Sequence, residues 1–237
     1  MSYYRVFCLT HRAAYCIFYH RRNLWEGIHK IFIGICGASG SGKSTLAQSL
    51  SDALGERCYV LQQDCYYRDH SHLPFEERAQ LNYDEPSIFD HDELLRDVQL
   101  LLNGQSITRK GYNYAEHRRD DSQELIAPPD VLILEGIHCF HDPRLLELMY
   151  LKLYMNVDAD ICLLRRIERD ITERGRSIDS ISDQYRKTVR PMFEQYIRSY
   201  INLSDVIVAR GGRNARIVEI LAGYVADELH KRREQQA

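Results

Sequence analysis

Residues 30–45 read KIFIGICGASGSGKST. The first part, KIFIGIC, is a short apolar run rich in isoleucine and closed by glycine, which predicts a strand buried on both faces. Beyond it Leu46, Ala47, Leu50, Ala53 and Leu54 recur at helical spacing, and Gly55 supplies a C-terminal stop. The join between them, GASGSGKST (37–45), matches G-x-x-x-x-G-K-[ST] through Gly37, Gly42, Lys43 and Ser44. Such a pattern arises by chance in roughly one chain per hundred of this length. Here it also has the strand–loop–helix context that its chemistry needs. Glycines let backbone N–H groups wrap a phosphate chain, and the helix N-terminus adds a favourable field. Lys43 reaches the terminal phosphates, and the Ser44 hydroxyl can hold Mg²⁺. The phosphate-binding set is Gly37, Ala38, Ser39, Gly40, Ser41, Gly42, Lys43, Ser44 and Thr45, and its ligand is a nucleoside triphosphate.

Working outward, CYVLQQ (58–63), DVLILEG (130–136), LKLYMNV (151–157) and SDVIVAR (204–210) read as four further strands. DHDELLRDVQLLLNG (90–104) reads as a helix opened by acids and closed by Asn103-Gly104. Helices are also predicted over 181–200 and from Asn214. The last should carry Ile217, Ile220, Leu221, Tyr224, Val225 and Leu229 on one face, with the basic end HKRRE at the negative pole of its dipole. Strands alternating with helices imply an α/β fold with a parallel sheet covered on both faces, which places ligands beyond the carboxyl ends of the strands.

The 237 residues carry a net charge of −3, with 44% hydrophobic and 27% charged side chains. These are the values of a soluble globular chain able to bury a substantial core, and they argue against a basic nucleic-acid binder. Seven cysteines without a CxxC pair point to free thiols in a reducing compartment. Residues 1–29 are aromatic and basic, with Glu26 as their one acid, and Arg5, His11, Arg12 and His20 break every apolar stretch. They offer no membrane span of about 20 apolar residues and no signal-peptide pattern. We expect an N-terminal extension outside the fold, followed by one domain over 30–237.

Two acids stand at predicted strand ends. Glu135, in VLILEG, can hold Mg²⁺ directly or through water, although Asp is the usual residue there. Asp64, in LQQDCYYRD (61–69), should lie at the same sheet edge as the phosphate loop. There it could accept a proton from an acceptor hydroxyl as a phosphoryl group transfers. No N-K-x-D segment is present to support a GTPase. A small-molecule kinase and a nucleotide-binding regulator both remain open from these residues alone.

The segments GASGSGKST, QDCYYRD, NYDEPSIFD, YNYAEH, LILEGI, DICLLRRIERDITERGRS, YRKTVRPMF and SDVIVARGGRN occur in this order from about Lys30 to about Asn214. Together they resemble the uridine kinase (uridine–cytidine kinase) family of the P-loop superfamily, closest to its bacterial type. The resemblance implies a three-layer P-loop kinase fold with a parallel central sheet, a β-hairpin insertion for the base and a helical lid. It implies phosphoryl transfer from ATP or GTP, with Mg²⁺, to the ribose 5′-hydroxyl of uridine or cytidine. Asp64 would then be the base, with Tyr67 beside it. Asp84 would grip the ribose hydroxyls, and Tyr83 would pack on the pyrimidine. Tyr112 and His117 would read the pyrimidine edge, with Tyr114 as an aromatic wall.

The run RRIERDITERGR resembles the family's lid. Read as a solvated helix, it pairs Arg166 with Asp170 and Arg169 with Glu173 at i,i+4. Read as a lid, it puts Arg166, Arg169 and Arg176 on roughly one helical face, where arginines clamp phosphates. The resemblance assigns Arg169 and Arg174 to the phosphates, with Arg169 catalytic beside Lys43 and Asp64. It assigns Arg166, Arg176 and Gln184 to the nucleoside side, and places RGGRN (210–214) near the donor's adenine. It further implies a cytoplasmic homotetramer inhibited by CTP or UTP in the acceptor pocket, with no membrane or nucleic-acid partner. One departure stands out: an apolar-Pro pair is expected just before Y-x-[YF], and this chain has Arg109-Lys110-Gly111. Acceptors such as those of phosphoribulokinase-like or pantothenate kinase-like relatives are the alternative.

Overall fold

The computed structural model describes residues 30–114 and 116–235, so the expected extension over 1–29 lies outside the described residues. Five parallel strands form the central sheet in the order β2-β5-β1-β6-β7: β1 (Ile31–Gly37), β2 (Cys58–Gln62), β5 (Val131–Gly136), β6 (Leu151–Asn156) and β7 (Val206–Ala209). All seven residues of β1 are buried, as expected of the middle strand of a sheet covered on both sides. Alternation along the strand divides the core in two. Ile31, Ile33 and Ile35 pack under α1 (Lys43–Leu54) and the C-terminal helix, whereas Phe32 packs with Leu94, Val98 and Phe140 on the opposite face. Gly34 has no room for a side chain, because a Cβ there would drive into Met149 and Phe140. Among the described residues no helix is long and apolar enough to cross a membrane.

The insertion between β2 and β5 carries α2 (Phe75–Arg78), α3 (His91–Leu102) and an antiparallel hairpin of β3 (Ile107–Asn113) and β4 (Arg118–Ile126). Asp90 caps α3 by accepting from the Glu93 N–H at 3.0 Å. The Arg109-Lys110-Gly111 departure falls at the hairpin's register shift between Lys110 and Tyr112. Arg109 is turned inward: it donates to the Cys65 thiol and pairs with Glu124 at 2.7 Å. The residue that breaks the expected apolar pattern therefore fastens the hairpin to the turn that bears Asp64.

Beyond β5 come α4 (Pro143–Leu148), α5 (Ala159–Thr172), α6 (Ile178–Gln184), α7 (Arg190–Gln195) and α8 (Ala215–Glu234). Two helix predictions need correction. The continuous helix expected over 181–200 is broken: α6 widens into a π-turn at Tyr185–Val189, α7 follows, and 3₁₀ turns run over Ile197–Leu203. Pro191 is the physical reason, since it has no N–H for the carbonyl one turn back and its ring crowds that carbonyl. In α8, Leu221, Val225 and Leu229 are buried as expected, but Ile220 and Tyr224 are exposed. The apolar face is narrower than the periodicity suggests.

Candidate active site

A cavity of about 640 Å³ opens at the carboxyl ends of β1, β2 and β5. Every predicted site residue lines it except Gly37, Ala38 and Ser41. Those three shape the loop from beneath. The Ala38 carbonyl accepts from Lys43 Nζ at 3.0 Å and from the Ser41 N–H at 3.1 Å, and Ser41 is fully buried. Gly42 precedes α1 in the left-handed region, with φ 92°, which suits glycine. The RGGRN loop packs against this turn so closely that a Cβ on Gly212 would collide with the Gly42 carbonyl. Arg165, which sequence reasoning passed over, bridges the Gly211 backbone and the cavity.

Ser44 Oγ donates to Glu135 Oε1 at 3.0 Å. Burial pushes the Glu135 carboxyl up, and Lys43 opposes that shift. A hydroxyl and a carboxylate side by side at the loop are hard oxygen donors of the kind Mg²⁺ takes. Among the described residues no group of three or more His, Cys, Asp or Glu could hold a metal. Two protein oxygens fall short of the octahedral set Mg²⁺ takes, so the pair suits an ion completed by oxygens from water or a phosphate.

Asp64 sits half-buried on a 3₁₀ turn over Gln63–Tyr66, directly after β2, and accepts from the Tyr114 hydroxyl at 2.8 Å. Arg174 lies over the Tyr114 ring, 4.2 Å from its centroid, so the hairpin and the lid meet at this carboxylate. Behind Asp64 is a box of rings. Tyr67 stacks on Phe89 at 4.5 Å, meets Tyr83 edge-on at 5.3 Å and touches Tyr112 at 4.7 Å. His117 stacks on Tyr83 at 4.9 Å. Its imidazole is pushed down by burial and by Arg176, Arg78 and Arg174 nearby, so it is neutral at pH 7 and each ring nitrogen can donate or accept by tautomer. Asp84, 6% exposed, closes the pocket floor, and burial raises its carboxyl against the pull of Arg166.

The lid is wired differently from a helical stripe. Arg166 pairs with Asp170 at 3.6 Å as expected, but Arg169 turns to Asp170 at 2.7 Å rather than to Glu173. Arg176 is not on the helix: α5 ends at Thr172, Gly175 turns the chain at φ 61°, and Arg176 folds back to Asp170 at 3.3 Å. Arg174 reaches the same carboxylate at 3.5 Å. Asp170 is thus a fully buried acid facing four arginines, and its carboxyl is held down by Arg169 and Arg166 despite burial. Arg166 and Arg176 also share Gln184 Oε1, at 2.8 and 2.5 Å. In sequence Asp170 looked like an ordinary i,i+4 partner, and nothing local signalled its central place.

His138 was also missed. It is fully buried, and its Nε2 lies 2.7 Å from the Asp84 carbonyl, which fixes the backbone of the pocket floor. Burial, with His141, His91 and Lys43 beyond it, holds this imidazole down to about 4. Between that value and the ordinary 6.5 the unfolded chain carries a proton that the folded chain refuses. The contribution of His138 to stability is therefore complete above about pH 6.5 and is lost on acidification, about 3 kcal/mol of it over the whole window. Urea melts at pH 7 and pH 5 should show the loss, and His138→Gln should flatten the slope; an unchanged slope in the variant would clear His138 as its source.

The family model described as phosphoribulokinase / uridine kinase matches residues 32–216. The chain belongs to this family. Within it, the chain is 43% identical over 204 residues to a uridine kinase of Vibrio cholerae, covering 84% of this chain and 96% of that one. It is 44% identical over 203 residues to a uridine kinase of Bacillus cereus, covering 85% and 96%. Among solved structures, phosphoribulokinase from Rhodobacter spheroides superposes with a TM-score of 0.58 at 15% identity, covering 77% of this chain and 71% of that one. That last likeness is one of fold. It supports the α/β fold with a parallel central sheet described above.

Proposed function

We propose that this family member is a uridine kinase, transferring a phosphoryl group from ATP or GTP to the 5′-hydroxyl of uridine or cytidine to give UMP or CMP. The observation that carries the reading is one cavity that joins the phosphate loop, the Asp64 carboxylate and an aromatic box. Relatives named uridine kinase align over nearly their whole length, so acceptors of the phosphoribulokinase or pantothenate kinase kind are not favoured. A silent regulator would have no use for a carboxylate at the acceptor hydroxyl.

In this mechanism the backbone amides of residues 37–45 and Lys43 hold the triphosphate. Ser44 and Glu135 would hold Mg²⁺, which when bound would supply positive charge beside the triphosphate. The nucleoside lies in the ring box with its sugar on Asp84 and its base edge at Tyr112 and His117. Asp64 takes the 5′-hydroxyl proton, and Arg169 and Arg174 leave Asp170 for the charge that builds on the transferring group. Arg166, Arg176 and Gln184 close the nucleoside side. The same reading carries a cytoplasmic homotetramer, for which exposed Leu125, Ile220 and Tyr224 offer apolar surface.

The test is a coupled assay of nucleoside diphosphate release with Mg-ATP or Mg-GTP against uridine, cytidine, thymidine, adenosine, ribulose 5-phosphate and pantothenate. Turnover confined to uridine and cytidine is the expected result. Silence on both, from folded protein that binds ATP, would overturn the acceptor assignment.

A further inference from the structure

Among the side chains of the π-turn left by Pro191, none used by the mechanism, one reaches a residue of the acceptor end of the cavity. Within the turn the Arg190 N–H reaches the Tyr185 carbonyl, five residues back. Thr188 lies in this widened turn, and its Oγ1 is 2.8 Å from Asp84 Oδ2 and 3.1 Å from the Gln184 carbonyl. A hydroxyl has one proton to give. The carboxylate is the nearer and charged acceptor, so the proton goes to Asp84. The other hydrogen bonds of Asp84 among the described residues are on its backbone, where its N–H donates to Asn82 Oδ1 at 3.1 Å and its carbonyl meets His138, while Arg166 acts on the carboxylate through its charge alone. Thr188 thus sets the rotation of a carboxylate that is 6% exposed and lines the acceptor end of the cavity.

We propose that Thr188 is a positioning residue that sets this kinase's preference for a ribose over a 2′-deoxyribose acceptor; this rests on the nucleoside reading above. With Oδ2 tied to Thr188, the Asp84 carboxylate keeps one orientation toward the sugar's two vicinal hydroxyls. A 2′-deoxy sugar lacks one of them and gains less from that orientation. Thr188 also lies one turn after Gln184, whose carbonyl is 3.1 Å from its Oγ1 and whose side chain holds Arg166 and Arg176. Sugar carboxylate and lid arginines are therefore set by one short segment of backbone.

The experiment measures KM and kcat for uridine, 2′-deoxyuridine and ATP in the wild type, Thr188→Val and Thr188→Ser. Valine keeps the branched shape and removes the donor, and serine keeps the donor. The valine variant should raise KM for uridine about tenfold and lower the uridine-to-deoxyuridine ratio of kcat/KM by a similar factor. KM for ATP should stay within about twofold, and serine should restore both acceptor values. Thr188→Ala, which places no bulk in the turn, reads the same way if valine disturbs folding. An unchanged KM and ratio in valine and alanine variants of an active enzyme overturns the role of Thr188 while leaving the uridine kinase reading in place. So does an equal loss on both nucleosides that serine does not rescue. A folded wild type that ignores uridine and cytidine overturns both.

Discussion

Asp64→Asn should bind nucleotide like the wild type and lose about 10²–10⁴-fold in turnover. The amide is isosteric, and its carbonyl oxygen can still accept from the Tyr114 hydroxyl that holds the carboxylate at 2.8 Å. The cavity and the Arg174–Tyr114 contact should therefore survive. What the amide lacks is a basic oxygen to take the proton of the acceptor hydroxyl as the phosphoryl group leaves the donor. Calorimetric titration with a nucleotide and a turnover assay on the same preparation separate the two effects. A variant that turns over at the wild-type rate would remove Asp64 from the role of base.

Asp170→Asn should cost about 3 kcal/mol of stability, the low end of what removing one partner from a buried ion pair costs. The low end applies because the burden falls on Arg166, whose side chain is 6% exposed, while Arg169, Arg174 and Arg176 are 25–31% exposed and can turn toward water. The asparagine leaves four guanidinium groups without their shared anion. Bound triphosphate should replace part of that charge, so a saturating donor should recover more stability in the variant than in the wild type. Urea melts with and without nucleotide read both numbers. A variant that melts within 1 kcal/mol of the wild type would show that Asp170 is a bystander in the lid.

Two residues that line the same cavity differ in how their placement follows from the sequence. Pattern alone directs both Lys43 and Arg176 to the site. Lys43 lies where its motif puts it, because a strand, a tight glycine turn and a helix start are set by residues close in sequence. Arg176 reaches the site by another route than the helical face suggested by its spacing, because Gly175 ends that periodicity. Ile220 and Tyr224 fit a buried stripe on α8 yet are exposed, since burial depends on what stands opposite as well as on the period.

By itself the sequence determined the succession of the five sheet strands along the chain, the phosphate loop, the strand-end acids Asp64 and Glu135, and the ordered segments that mark the family. These are local patterns, each carried by residues within a turn or two of one another. Only the tertiary structure decided that Asp170 gathers four arginines, that His138 and Thr188 hold Asp84 from backbone and side chain, and that Arg109 binds the hairpin to the Asp64 turn. Each joins residues from separate elements, Thr188 and Asp84 being 104 positions apart. Their energy comes from burial and from charges brought together once the chain has closed, and no spacing in the sequence records that closure.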